Sequence, residues 1–171
     1  MKKTVLTFGL ISGTVSSALM LLTLPFIDRI GFDRGAVVGY TGIVASFLVV
    51  YFGIRSYREH VGNGALTFAR AFTVGILITL ISCVFYVATW EVIYFKLAPG
   101  FSEKYAAYAV ERVKASGASE QQIASTRKQM DDFKRMYDNP LFNAAVTFLE
   151  PFPIGLVVTL ASAAVLRKKA S

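Results

Sequence analysis

Residues 72–95 read FTVGILITLISCVFYVATWEVIYF, twenty-four residues with a single charge, Glu91. As a helix rising about 1.5 Å per residue, the run is roughly 36 Å long, enough to cross a hydrocarbon core of about 30 Å. Three more runs of this kind flank it: Thr4 to Ile27, Gly35 to Ile54 and Leu141 to Leu166. The expected fold is therefore all-α: a polytopic membrane protein with four transmembrane helices at about 4–27, 35–54, 72–95 and 141–166. The whole chain, 1–171, reads as a single membrane domain. Its one polar excursion, about 98–140, is expected as an extracytoplasmic helical hairpin between the third and fourth spans.

Composition agrees with that reading. Of 171 residues, 54% are hydrophobic and only 17% charged, against about 25% charged in an ordinary soluble domain. The net charge of +7 does not point to nucleic acid, because the excess sits at span ends: Lys2, Lys3, Arg55, Arg58, Arg70, Arg167, Lys168 and Lys169. Basic residues in short segments beside spans mark the cytoplasmic side, where anionic lipid headgroups are their partners. The ten remaining Lys and Arg lie in the outer segments and are interleaved with acids. Both termini are expected in the cytoplasm and the protein in a bacterial inner membrane, crossed several times. The first apolar run, twenty-four residues long, exceeds the 7–15 of a signal-peptide core and reads as a retained span.

Turns are expected at Asp28–Arg34, where both Arg are matched by Asp, and at Gly62-Asn63-Gly64. In the polar excursion Ser102 is placed to cap a first helix that carries Phe101, Tyr105, Tyr108 and Val113 and stops at Gly117. Ser119-Glu-Gln-Gln122 has the capping-box pattern for a second. Its Ile123, Met130, Phe133 and Tyr137 form an amphipathic stripe. Within the spans, small residues recur at helix-packing intervals: Gly9, Gly13 and Ser17; Gly35, Gly39, Gly42 and Ser46; Ala71, Gly75 and Thr79; Gly155, Thr159 and Ala163. Lipid supplies no hydrophobic drive between helices, so close backbone approach has to hold them together.

The sharpest functional signal is Glu150, followed by Pro151, Pro153 and Gly155. A carboxyl group near mid-membrane costs about 3 kcal/mol. Proline removes a backbone donor and frees a carbonyl one turn earlier, so a kink or break is expected beside Glu150. Broken helices next to charged groups form ion sites in transporters. A protonated Glu150 could equally act as structural glue, bonding freed carbonyls or the polar third-span face Thr79, Ser82, Tyr86 and Thr89. Glu91 is expected near the outer interface, paired with Lys96 or another base, and Arg70 at the cytoplasmic start of the third span, reaching to phosphates. Cys83, the only cysteine, reads as a packing residue, and His60 has no second metal ligand near it in sequence. No catalytic, cofactor or metal motif is present, which argues against an enzyme.

Several blocks together carry a family pattern: Ser56-Tyr57-Arg58, Gly64 to Phe72 with Gly75, Lys114-Ala-Ser-Gly117-Ala-Ser-Glu120, Asn139-Pro140-Leu141, Phe148 to Gly155, and Leu166 to Lys169. In order and spacing they resemble the domain of unknown function 4199 family of bacterial membrane proteins, over nearly the whole chain. The resemblance implies four membrane helices with a polar segment between the third and fourth, and no activity. It marks Phe68, Arg70, Glu150, Pro153 and Gly155 as candidates for the family's shared role. The expected function is a non-catalytic scaffold that binds a membrane or periplasmic protein through residues 101–137. The alternative is a small homo-oligomeric transporter or channel that uses Glu150 at the broken helix.

Overall fold

The computed structural model describes residues 1–168; Lys169, the last base of the expected cytoplasmic tail, lies outside the described residues. The regular elements among the described residues are helical: α1 (Lys2–Thr23), a 3-10 turn (Leu24–Phe26), α2 (Ile27–His60), α3 (Phe68–Val92), a π turn (Ile93–Leu97), α4 (Phe101–Ala115), α5 (Glu120–Tyr137), α6 (Pro140–Leu149) and α7 (Pro151–Leu166). Three helical stretches among the described residues are long and apolar enough to cross a membrane: Lys2–His60, Phe68–Leu97 and Pro140–Leu166. Two compact units result, Met1–Thr89 with the stretch from Thr147, and Trp90–Val146.

The first unit holds α1, α2, most of α3 and α7. Its helices meet where side chains are small. A Cβ on Gly9 would lie 2.9 Å from Ile81, and one on Gly13 would lie 2.6 Å from Phe85. Ser17 Oγ and Thr89 Oγ1 are 2.7 Å apart. Each of these pairs is separated by 72 residues, so α1 and α3 run parallel in a constant register. The pairs Phe8–Gly53, Ser12–Ser46 and Leu19–Gly42 run in the opposite sense, so α1 and α2 are antiparallel and the Lys2–His60 stretch doubles back on itself. Gly75 against Thr159, and Gly155 against Thr79, set α7 antiparallel to α3. Phe47, Val50, Ile54, Val74 and Ile78 fill the centre, and Cys83 is buried among apolar side chains. Leu22, Val37, Val84, Val157 and Val165 face outward.

The reversal between α1 and α2 differs from the expected loop. Asp28–Arg34 is helical except at Gly31, whose φ of 78° and ψ of 163° turn the chain. Only glycine adopts that conformation without strain, so one residue does the work of a turn. The second small-residue stripe is corrected in part: Gly39 has open space beside it, and Gly35 approaches Ile27 and Ile30, just before it in the chain, and no other helix. The contacts α2 makes with other helices fall on the stripe's Gly42 and Ser46, and on Gly53 beyond it.

The second unit holds the π turn, α4, α5 and the start of α6. Gly117, at φ 77°, separates α4 from α5. The capping box at Ser119 and Gln122 is formed in full. Ser102 does not cap α4; the cap is Gly100 in the left-handed region, and the Ser102 hydroxyl donates to Glu103 Oε2 at 3.1 Å. With Gly100 as the cap, the helix starts two residues earlier than a Ser102 cap would allow, which leaves Ser102 inside the first turn. The unit is packed by rings: Trp90 on Phe101 (centroids 5.0 Å apart), Tyr94 on Tyr137 (5.2 Å) and Phe133 on Tyr137 (5.2 Å).

Candidate functional site

The site begins with the proline pair. Pro151 has no N–H to give the Thr147 carbonyl, and the Glu150 amide reaches that carbonyl instead at 3.4 Å. The hydrogen-bond ladder therefore breaks between α6 and α7, at Glu150. The backbone does not unwind: Glu150 keeps helical angles of φ −75° and ψ −58°. Proline is tolerated at the first position of a helix, because that amide has no intrahelical partner in any case. The break is thus a change of ladder within one continuous apolar stretch, Pro140–Leu166.

Glu150 is exposed on the surface of its unit. Of Thr79, Ser82, Tyr86 and Thr89 on α3, Tyr86 meets it: the phenol donates to Glu150 Oε2 at 2.8 Å. Tyr86 also lines a cleft of about 340 Å³ beside Ser16, Leu19, Met20, Gly42 and Ile43. Below this pair the helix contacts are hydroxylated. Thr79 Oγ1 and Thr159 Oγ1 are 3.0 Å apart and buried. The Ser12 hydroxyl donates to the Ser46 carbonyl at 2.9 Å and lies 3.0 Å from Ser82 Oγ. Gly155 is buried and fixes the approach of α7 to Thr79, while Pro151 is buried and Pro153 exposed.

Arg70 is exposed at the start of α3, where Thr67 Oγ1 accepts the Arg70 backbone N–H at 3.4 Å. It lines a second, larger recess with Phe68. Glu91 belongs to the other unit, and the expected pairing with Lys96 is corrected: Glu91 Oε1 is buried and has no hydrogen-bond partner. Lys96 sits five residues on, in the π turn Ile93–Leu97, and side chains share a helix face at three or four residues apart, not five. His60 Nδ1 lies 3.0 Å from the Ser56 carbonyl in its own helix. Among the described residues no group of three His, Cys, Asp or Glu could hold a metal ion.

One polar residue escaped the sequence reading. Asn143 is fully buried, and its Nδ2 donates to the Tyr137 carbonyl at 3.2 Å. A lone amide within an apolar run was the available signal, since burial of such a group requires a partner.

A family model described as a protein of unknown function, DUF4199, matches residues 7–168. No curated protein matches the chain, and no solved structure does.

Proposed function

The chain belongs to the DUF4199 family, and from that premise we propose a non-catalytic integral membrane protein that binds a partner through residues 101–137. Four spans cross a bacterial inner membrane: α1, α2, α3 and the α6–α7 stretch. The doubling back of α1 on α2 supports two spans within Lys2–His60. The α2–α3 loop and the carboxy-terminal tail are joined by an antiparallel bridge, Leu66 to Lys168, with both backbone bonds at 2.8 Å. That loop and tail are the basic segments, so both are assigned to the cytoplasm with the termini. The α4–α5 pair is then an extracytoplasmic hairpin.

The observation that carries the partner reading is α5. It buries no residue, although its stripe is apolar. Phe133 is 38% exposed and Met136 49%, and Tyr105 on α4 is 43% exposed. Exposed large apolar groups on two otherwise polar helices support an interaction surface there. The test is native mass spectrometry of the protein extracted gently from its own membrane. A second protein at fixed stoichiometry is expected, lost in the double variant Tyr105→Ser/Met136→Ser and on deletion of 101–137. Recovery of the chain without any other protein would sink this reading.

A specific observation favours the second reading, an oligomeric transporter or channel. Glu150 is an exposed carboxyl about 13 Å along a membrane-length stretch. Such groups face a protein interior or a water-filled path. A second copy covering Glu150 and Tyr86 would provide either. Glu150→Gln should abolish proton- or cation-coupled flux in liposomes, and unchanged flux removes the idea.

A further inference from the structure

An open bowl of about 1540 Å³ lies in the first unit where the α2–α3 loop, the start of α3 and the carboxy-terminal tail meet. Among the described residues three cationic side chains line it, Arg70, Arg167 and Lys168, and none of the lining side chains is acidic. Glu59, two residues before the lining residue Val61, is engaged by Arg55 at 2.8 Å and Arg58 at 3.4 Å. The rest of the lining is mainly apolar, with Val61, Leu66 and Phe68 prominent.

The bowl is fixed by backbone rather than by its charges. The Leu66–Lys168 bridge ties tail to loop, Arg58 Nη1 donates to the Leu166 carbonyl at 3.4 Å, and the loop turns through Asn63 (φ 48°) and Gly64 (φ 83°). A Cβ on Gly62 would collide with the Ala65 carbonyl oxygen, so the turn keeps its shape only with glycine there. The three cations therefore project from a frame that their side chains do not maintain.

We propose that this bowl binds the phosphate headgroup of an anionic phospholipid, with Arg70, Arg167 and Lys168 as its cationic contacts. The ligand chemistry is a phosphate anion. The apolar lining at the end of membrane-length helices favours a lipid over a soluble phosphate, because Val61 and Phe68, 49% and 40% exposed, can take the glycerol and first acyl carbons. The proposal rests on the membrane reading above, and goes beyond it in assigning one defined headgroup site instead of a diffuse basic edge.

The experiment is native mass spectrometry of the detergent-purified full chain with equimolar phosphatidylglycerol and phosphatidylcholine. One bound phosphatidylglycerol is expected to be retained in preference. Near a membrane each Lys or Arg contributes roughly fivefold, so Arg70→Gln/Arg167→Gln/Lys168→Gln should weaken retention on the order of a hundredfold. The bridge is made by main chain, so this variant should fold; Arg127→Gln/Lys128→Gln/Arg135→Gln in the other unit is the charge-matched control and should retain the lipid. Equal retention by the bowl variant and the control overturns the site. Displacement of the lipid by millimolar inorganic phosphate overturns the lipid source. Release of the protein from membranes by alkaline carbonate overturns the membrane reading instead, and is scored separately.

Discussion

In the first unit, Gly155 lets Phe47 and Thr79 come against the backbone of α7, and Gly53 lets Ile78 come against α2. In the second, Trp90, Tyr94, Phe133 and Tyr137 occupy the space with rings, and their polar edges bond: Trp90 Nε1 donates to Tyr137 Oη at 2.8 Å, and Tyr94 Oη donates to Asp138 Oδ1 at 2.7 Å. One unit is held by missing side chains and short hydroxyls, the other by large amphipathic ones. The difference follows from the two proposed surroundings. Between helices in lipid, contact area at close range is what distinguishes association from solvation by acyl chains. At a water boundary an aromatic gains from burial while its polar edge still finds a partner.

The most direct way to break that contrast is to fill a glycine. Gly155→Leu should give the largest loss, since a Cβ alone would stand 2.8 Å from Phe47 Cζ and closer still to Thr79. Overpacking of this kind costs about 1–3 kcal/mol or more, read as early unfolding in a detergent titration. Gly39→Ala, with open space around it, should unfold with the wild type. Equal behaviour of the two would mean that close approach does not hold the bundle.

The second unit should respond to ring removal instead. Tyr137→Ala removes a side chain that stacks on Phe133 and meets Tyr94, and losses of large buried aromatics run to about 3–5 kcal/mol. The half-exposed setting makes the lower end the expectation, seen as faster amide exchange across 101–137 with α1 and α2 unchanged. Tyr86→Phe is a smaller test inside the bundle. It removes one hydrogen bond to Glu150, worth about 1 kcal/mol. Glu150→Gln keeps an acceptor for Tyr86 and should unfold close to the wild type. A much larger loss from Glu150→Gln than from Tyr86→Phe would show that the charge, and not the bond, is what the site holds.

Helix positions were legible because apolar length and small-residue spacing are local properties. The capping box at Ser119 and the stops at Gly62–Gly64 and Gly117 follow from residue chemistry at one place in the chain. Gly31 was not legible as a turn in itself, because a single glycine with a positive φ looks in sequence like any helix glycine beside Asp and Arg. The Leu66–Lys168 bridge joins residues a hundred positions apart, and neither segment has strand character. For the same reason the bowl that gathers Arg70, Arg167 and Lys168 could be read only as separate charges at span ends. Tyr86 was visible among the polar third-helix residues, but its choice over Thr79, Ser82 and Thr89 depends on where α7 breaks.

The smallest expected effect is the ion pair of the second unit, and its sign is set by pH. Lys134 Nζ lies 2.5 Å from Glu103 Oε1, with the carboxylate side 57% exposed. The hydrogen bond from Lys134 holds the Glu103 carboxyl below its usual range, and the same bond raises Lys134. A carboxyl lowered on folding contributes stability that is present above its unfolded value and is lost as pH falls through the folded one. Lys134, raised, contributes below the unfolded lysine value and loses its share only as pH rises through the folded one. Both contributions are present together at neutral pH. Glu103→Gln should therefore lower the melting temperature slightly near pH 7. The gap to the wild type should close below the carboxylate range, and also in high salt, because exposed pairs are screened. A gap that persists in acid and in salt would mean that Glu103 holds α4 against α5 by packing of its stem, which would bring this unit closer to the bundle in how it is held.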